Sequence, residues 1–216
     1  MSSTTVAIAG FTGKMARLIT SSLLANYPET KIIGICRFPE KVSEELRTSP
    51  NIEVFPANSS DKQALRRALK GASVCICCYL GDDDLMINGQ KILIDACIDE
   101  GVPRYIASDW SVDYRSLAFG ELPPKDPMKH VQMYLDEKEK DGRIKGVHVL
   151  NGGFTEFYFA PFTGVFNAEG PTFKHWGSGD EGLDTTMWED AAAFTAHAAM
   201  DPSATGFLTC EWLLQD

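Results

Sequence analysis

An α/β fold, a doubly wound parallel sheet, is predicted by three observations. Apolar runs alternate with stretches of helical periodicity six times between residues 5 and 151. The runs are apolar on both faces, as strands covered by helices on both sides must be. The first run, "TVAI", enters a glycine turn, "AGFTGKMA", that opens the first helical stretch.

The elements follow in order. After "TTVAIAG", Lys14 to Tyr27 has helical spacing through Met15, Leu18, Ile19, Leu23 and Leu24, and Pro28 closes it. "KIIGIC" (31–36) is the second strand, followed by a short helix through "EKVSEELR". "IEVFP" is the third strand, and "SSDKQALRRALKG" is a helix capped by Ser or Asp and ended by Gly71. "SVCICCYL" is the fourth, with a helix from Leu85 to Glu100. "VPRYIAS" is the fifth, with a charged amphipathic helix from Asp126 to Lys140 started by Pro127. "GVHVLN" is the sixth. Beyond residue 152 the rhythm is lost; one helix, "TTMWEDAAAFTAHAAMD", is expected there, opened by a Thr186–Glu189 capping box. The division expected is a nucleotide-binding domain over 1–151 and a substrate-side region over 152–216 that packs over the cleft.

Right-handed crossovers favour the strand order 3-2-1-4-5-6, with ligands bound off the carboxyl ends of the strands. Those ends carry Gly10, Arg37, Tyr79, Ser108 and Asn151, which topology should bring to one cleft.

Bulk properties exclude several function classes. A net charge of −10 over 216 residues argues against nucleic acid or an anionic membrane as partner. No apolar run approaches the roughly 20 residues that span a bilayer. The N-terminus has no basic region preceding an apolar one, so a cytoplasmic protein is expected. Cys75, Cys77 and Cys78 lie in one buried strand, and none of the six cysteines has zinc-site spacing. No metal is expected.

The glycine turn distinguishes two phosphate chemistries. A nucleotide-hydrolysing P-loop would need Gly at position 8 and Ser or Thr at position 15, where Ile8 and Met15 stand. A dinucleotide fingerprint fits as G-x-x-G-x-x-A: Gly10 turns the strand, Gly13 admits the pyrophosphate, and Ala16 lets the helix approach the sheet. The pyrophosphate would rest on the helix N-terminus. The expected cofactor contacts are Gly10, Phe11, Thr12, Gly13, Lys14, Met15, Arg37, Tyr79, Leu80, Ser108, Lys129 and Phe154. NAD-binding folds place an acidic residue about 20 residues on, at the end of the second strand. Arg37 stands there instead, with Lys41 nearby. A guanidinium suits the extra 2′-phosphate of NADP, so NADP(H) is the expected cofactor.

Five segments, "AIAGFTGKMA", "VPRYIASDWSVDY", "DPMKHV", "NGGFTE" and "HWGSGDEGLDTTMWEDAA", resemble the NmrA-like family. These are atypical short-chain dehydrogenase/reductase relatives that include the isoflavone-reductase-like enzymes. The likeness covers nearly the whole chain and is closest to fungal members. It implies a Rossmann-type fold, NADP(H) in the cleft and a substrate on a smaller C-terminal region. Family members are longer than this chain. Either a different substrate or partner, or a pocket completed by a second subunit in a homodimer, would follow from that.

Hydride transfer needs a proton donor near the cofactor. Tyr134-Leu-Asp-Glu-Lys138 has the Tyr-x-x-x-Lys spacing but falls too late in its helix; Tyr134 is read as packing and Lys138 as solvated. Lys129, in the first helical turn, resembles in position the lysine that isoflavone-reductase-like enzymes place beside the nicotinamide. A lysine desolvated beside a cationic ring can serve as general acid or base. The four histidines receive no role, and Asp109, Asp113, Asp180 and Glu181 no pairing. The expected function is NADPH-dependent reduction of a small apolar or aromatic, natural-product-like substrate, with Phe154 to Phe166 and Trp176 lining its pocket. Two alternatives remain: a non-catalytic NADP(H)-binding redox sensor, or a redox-neutral isomerase or lyase.

Overall fold

The structure, a computed structural model, describes residues 4–167, 170, 172–175 and 177–210. Seven parallel strands form one sheet: β1 (Thr5–Ala9), β2 (Lys31–Cys36), β3 (Ile52–Pro56), β4 (Val74–Cys77), β5 (Arg104–Ile106), β6 (Lys145–Leu150) and, last in the chain, β11 (Gly206–Thr209). Their order across the sheet is β11-β6-β5-β4-β1-β2-β3. The expected 3-2-1-4-5-6 order is therefore present, extended beyond β6 by a short edge strand, β11, that was not anticipated.

Strand alternation supplies two cores. Ala7, Ala9, Cys75, Cys77 and Tyr105 face one side, with Leu65 and Leu69 of α3 (Lys62–Leu69), Leu93 and Ile94 of α4 (Gln90–Asp99) and Val131 and Leu135 of α5 (Asp126–Lys140). Val6, Ile8, Val74, Ile76, Val147 and Val149 face the other, with Ile19 and Leu23 of α1 (Lys14–Asn26) and Ala191 and Ala196 of α7 (Trp188–Met200). All six cysteines are buried free thiols, as a packing role requires.

Local chemistry sets several boundaries. The helix expected through residues 40–47 splits into a 3-10 turn (Pro39–Lys41) and α2 (Glu44–Thr48). Asp61 caps α3 by accepting from the Ala64 amide at 2.9 Å. The helix expected from Leu85 begins as a π turn (Leu85–Gly89) before continuing as α4.

After β6, the chain forms β7 (Gly153–Phe154), α6 (Thr155–Tyr158), β8 (Phe166–Asn167), β9 (Thr172–Phe173) and β10 (Thr185–Thr186). β7 pairs with β10 and β8 with β9, so this segment folds on itself beside the sheet. Within the segment after Asn151, α7 and β11 pack on the main sheet and its core. Arg104, buried on β5, ties α7 there by donating to the carbonyls of Ala198, Ala199 and Asp201. The capping box expected at α7 is not formed. Thr186 Oγ1 donates to Asn151 O instead, and the Trp188 amide donates to the Glu156 carboxylate at 3.0 Å. No helix among the described residues is long and apolar enough to cross a membrane.

Candidate dinucleotide site

The glycine turn joins β1 to α1 at the carboxyl end of the sheet. Gly10 has φ +78°, and a Cβ there would lie 2.5 Å from the Cys78 carbonyl oxygen on the neighbouring chain segment. Only glycine meets both conditions. Gly13 has ordinary φ and caps α1; its amide donates to Gly10 O at 2.9 Å, and a Cβ there would lie 3.1 Å from that oxygen. The first turn of α1 leaves its leading amides without intrahelical acceptors, a positive end open to an anion.

Two expected contacts point elsewhere. Phe11 is buried, its ring filling the space a side chain would take at Gly34 of β2, and its amide donates to Ile35 O. Met15 is buried in the same core. The side chains of both residues therefore serve packing, because the strand–helix crossing needs its apolar faces filled. Thr12, Gly10 and Gly13 do line a cavity of about 290 Å³ together with Cys36, Arg37, Tyr79 and Leu80. The ends of β1, β2 and β4 therefore meet in one cleft.

Arg37 is exposed, lies 5.6 Å from the Phe38 ring, and belongs to none of the ion pairs among the described residues. It also lines an adjoining cavity with Ser59, Asp82 and Asp84. Those carboxylates have local work: Asp82 accepts from the Leu85 amide and Asp84 from Asn88. Tyr79 is partly buried, and desolvation raises its phenol above the ordinary range.

Ser108 is buried and holds the strand ends in register. Its Oγ donates to Tyr79 O at 2.7 Å and its amide to Gln90 Oε1 at 3.2 Å. Gln90, fully buried, also accepts from the Tyr105 hydroxyl. A lone amide in an otherwise apolar helix face was the sequence signal for this brace.

Lys129 lies in the first turn of α5, as expected, under the loop that follows β5. Its Nζ donates to Ala118 O at 2.6 Å, lies 3.5 Å from Asp126 and sits 5.0 Å from the Phe119 ring. Tyr134 faces away from the cleft, donating to Asp95 on α4 at 2.7 Å, with the Lys138 ammonium over its ring at 4.5 Å. Lys138 is therefore folded onto Tyr134 and paired with Glu137 rather than freely solvated.

The same loop is pinned by a buried pair that the sequence reading did not assign. His148 Nδ1 and Asp109 Oδ2 are 2.6 Å apart, with the Tyr114 hydroxyl 3.3 Å from the same ring nitrogen and Phe207 stacked on the imidazole. Asp113 is also paired, with Arg115. Glu181 accepts from the Ser178 and Gly179 amides, which lowers its carboxyl to about 2. The Asp113 and Glu181 contacts are local, whereas Asp109 and His148 are 39 residues apart, so spacing could not have paired them.

A second cavity, about 520 Å³, lies in the segment after β6. Tyr158, Phe159, Val165, Lys174, His175 and Leu183 contribute to its lining. The aromatic stretch expected to line a pocket thus does so in part. Phe154 instead stacks on Trp188, ring centroids 3.6 Å apart, and the Lys14 ammonium sits 4.5 Å over the indole. Trp176 lies outside the described residues. No group of three or more metal-ligating side chains occurs among the described residues.

A family model, that of the NmrA-like family, matches residues 2–209. No curated protein matches the chain in sequence. Among solved structures, a protein with NADP+ and (+)-pinoresinol is similar at TM-score 0.75 and 20% identity, over 97% of this chain and 70% of that one. An isoflavone reductase is similar at TM-score 0.76 and 18% identity, over 96% and 69%. A Citrobacter sp. triphenylmethane reductase complexed with NADP(H) is similar at TM-score 0.73 and 20% identity, over 95% and 68%. At these identities the likeness establishes the fold.

Proposed function

The chain belongs to the NmrA-like family, and from that premise we propose that it binds NADP(H) in the cleft at β1, β2 and β4 and acts as an NADPH-dependent reductase of a small apolar or aromatic substrate. The observation that carries the reading is the cavity shared by Gly10, Thr12, Gly13 and Arg37. Its floor is a helix N-terminus that a side chain would obstruct. Its far end carries a cation where an NAD site would carry a carboxylate. These residues fit the dinucleotide: amides of the first turn of α1 for the pyrophosphate, and Arg37 for the 2′-phosphate. The bound cofactor would supply the hydride.

The chain's own residues would do the rest. Tyr79 and Leu80 border the cleft on the β4 side, and Ser108 fixes the Tyr79 carbonyl. Lys129 is the proposed proton donor or base. To act, its ammonium must exchange the Ala118 carbonyl for a substrate or cofactor oxygen, which requires the loop after β5 to shift. The 520 Å³ cavity, with its aromatic wall, is the proposed substrate site.

The engagement of Lys129 by Ala118 and Asp126 favours a second reading, an NADP(H)-binding protein that signals redox state without turnover. Calorimetry with NADPH and NADH tests the shared premise. NADPH should bind more tightly, and Arg37→Ala should weaken NADPH by about 1.5–3 kcal/mol while barely changing NADH. Equal affinities in the native protein would overturn the assignment. A panel of aromatic ketones, enones and quinones, followed by NADPH oxidation, then separates enzyme from sensor.

A further inference from the structure

The stack of Phe154, Trp188 and Lys14 joins the segment after β6 to the first turn of α1. Phe154 precedes Thr155, which lines the apolar cavity, and Lys14 follows Gly13, which lines the dinucleotide cleft. Trp188 joins them, its plane within 6° of the Phe154 ring and the Lys14 ammonium over its indole, while it also packs against the core on the α1–α7 side of the sheet. Three features set the indole there. α7 packs alongside α1, with Tyr27 and His197 joined at 2.8 Å near their far ends. The Trp188 amide is held by Glu156. The indole is half-buried, whereas Lys14 is exposed and, among the described residues, joined to nothing stronger than the ring.

We propose that Trp188 is a positioning residue for the dinucleotide. It keeps the Phe154 ring stacked and holds the Lys14 ammonium at the mouth of the phosphate turn. This rests on the reading of the cleft as an NADP(H) site. A pyrophosphate on the first turn of α1 would take one side of the Lys14 ammonium while the indole keeps the other, because a charge-assisted contact and a cation–π contact can be made by the same ammonium at once. Binding therefore draws Lys14 toward the phosphate and changes the surroundings of Trp188 while Phe154 stays stacked. The residue is invisible to a motif search because it acts through two neighbours far from it in the chain.

The test titrates the full chain with NADP+, following heat and tryptophan emission together, with thermal melts to confirm folding of each variant. Native emission should change with the calorimetric midpoint. Trp188→Phe should keep NADP+ affinity within about threefold, because a ring still stacks on Phe154, and lose most of the emission change. Trp188→Ala should weaken binding about tenfold or more, with Trp188→Phe as the rescue. Lys14→Met should bind more weakly and abolish the emission response although Trp188 remains. Heat without an emission change, or a full change in Trp188→Phe, overturns the proposal and leaves the cofactor reading intact. No heat from NADP+ or NADPH refutes the cofactor reading, and the proposal falls with it.

Discussion

The two glycines of the turn should fail in different ways when replaced by alanine. At Gly10 the new Cβ meets the Cys78 carbonyl oxygen at 2.5 Å and its carbon at 2.8 Å, while φ is +78°. The left-handed conformation costs an alanine about 1–2 kcal/mol. Relieving the overlap means moving β1 from the segment after β4, an overpacking cost of about 1–3 kcal/mol. The sum, about 2–5 kcal/mol, should lower Tm by roughly 4–20 °C in a chain of this size. At Gly13 φ is ordinary and the nearest atom to a new Cβ is Gly10 O at 3.1 Å, which a shift of a few tenths of an ångström relieves. Gly13→Ala should therefore melt within about 2 °C of the native protein, a cost under 1 kcal/mol. Its methyl group nevertheless projects from the floor of the cavity, where a pyrophosphate must approach the amides. NADP+ affinity should fall about tenfold or more, at least 1.4 kcal/mol. Thermal unfolding and calorimetric titration of both variants decide the matter. A native-like melt for Gly10→Ala would refute the steric reasoning. Undiminished NADP+ binding by folded Gly13→Ala would show that the turn serves only chain reversal.

Three further outcomes follow from particular contacts. Arg104→Met strips three carbonyls at the end of α7 of their donor; it should cost about 3 kcal/mol or more, a fall of about 6–12 °C in Tm, and a melt unchanged within 2 °C, on the order of 0.5 kcal/mol, would refute the brace. Glu181 is held at about 2 by the amides of its turn, below an unfolded value of about 4.3; its contribution is therefore complete above that unfolded value and lost as pH falls through the folded one, so the Gly179 amide resonance should titrate near 2, and a midpoint near 4 would refute the contact. If Lys129 transfers the proton, Lys129→Ala should lower turnover about 10²–10⁴-fold on whichever substrate the panel yields, while Tyr134→Phe, whose hydroxyl is spent on Asp95, should change little; the reverse result would move the chemistry to Tyr134.

The chain's alternation of apolar runs and helical stretches determined the sheet order from β1 to β6, because right-handed crossovers leave few arrangements once strands and helices are counted. Local steric rules determined the phosphate turn, since Gly10 can be read from a strand-to-helix reversal. The bounds of α5 were equally legible, from Pro127 and its charged outer face. Tertiary structure alone decided the rest. β11 is four residues long and gains its identity only by pairing with β6. Phe11 looks like a cleft residue until Gly34 is placed opposite it. The Thr186–Glu189 pattern promised a capping box, but Asn151 O took the hydroxyl and Glu156, 32 residues upstream of Trp188, took the amide. Asp109 with His148, and Lys14 with Trp188, are partners far apart in the chain. Periodicity reports which face of an element is buried. It carries no information about which distant polar group or ring will be waiting there, because that depends on how the whole chain closes.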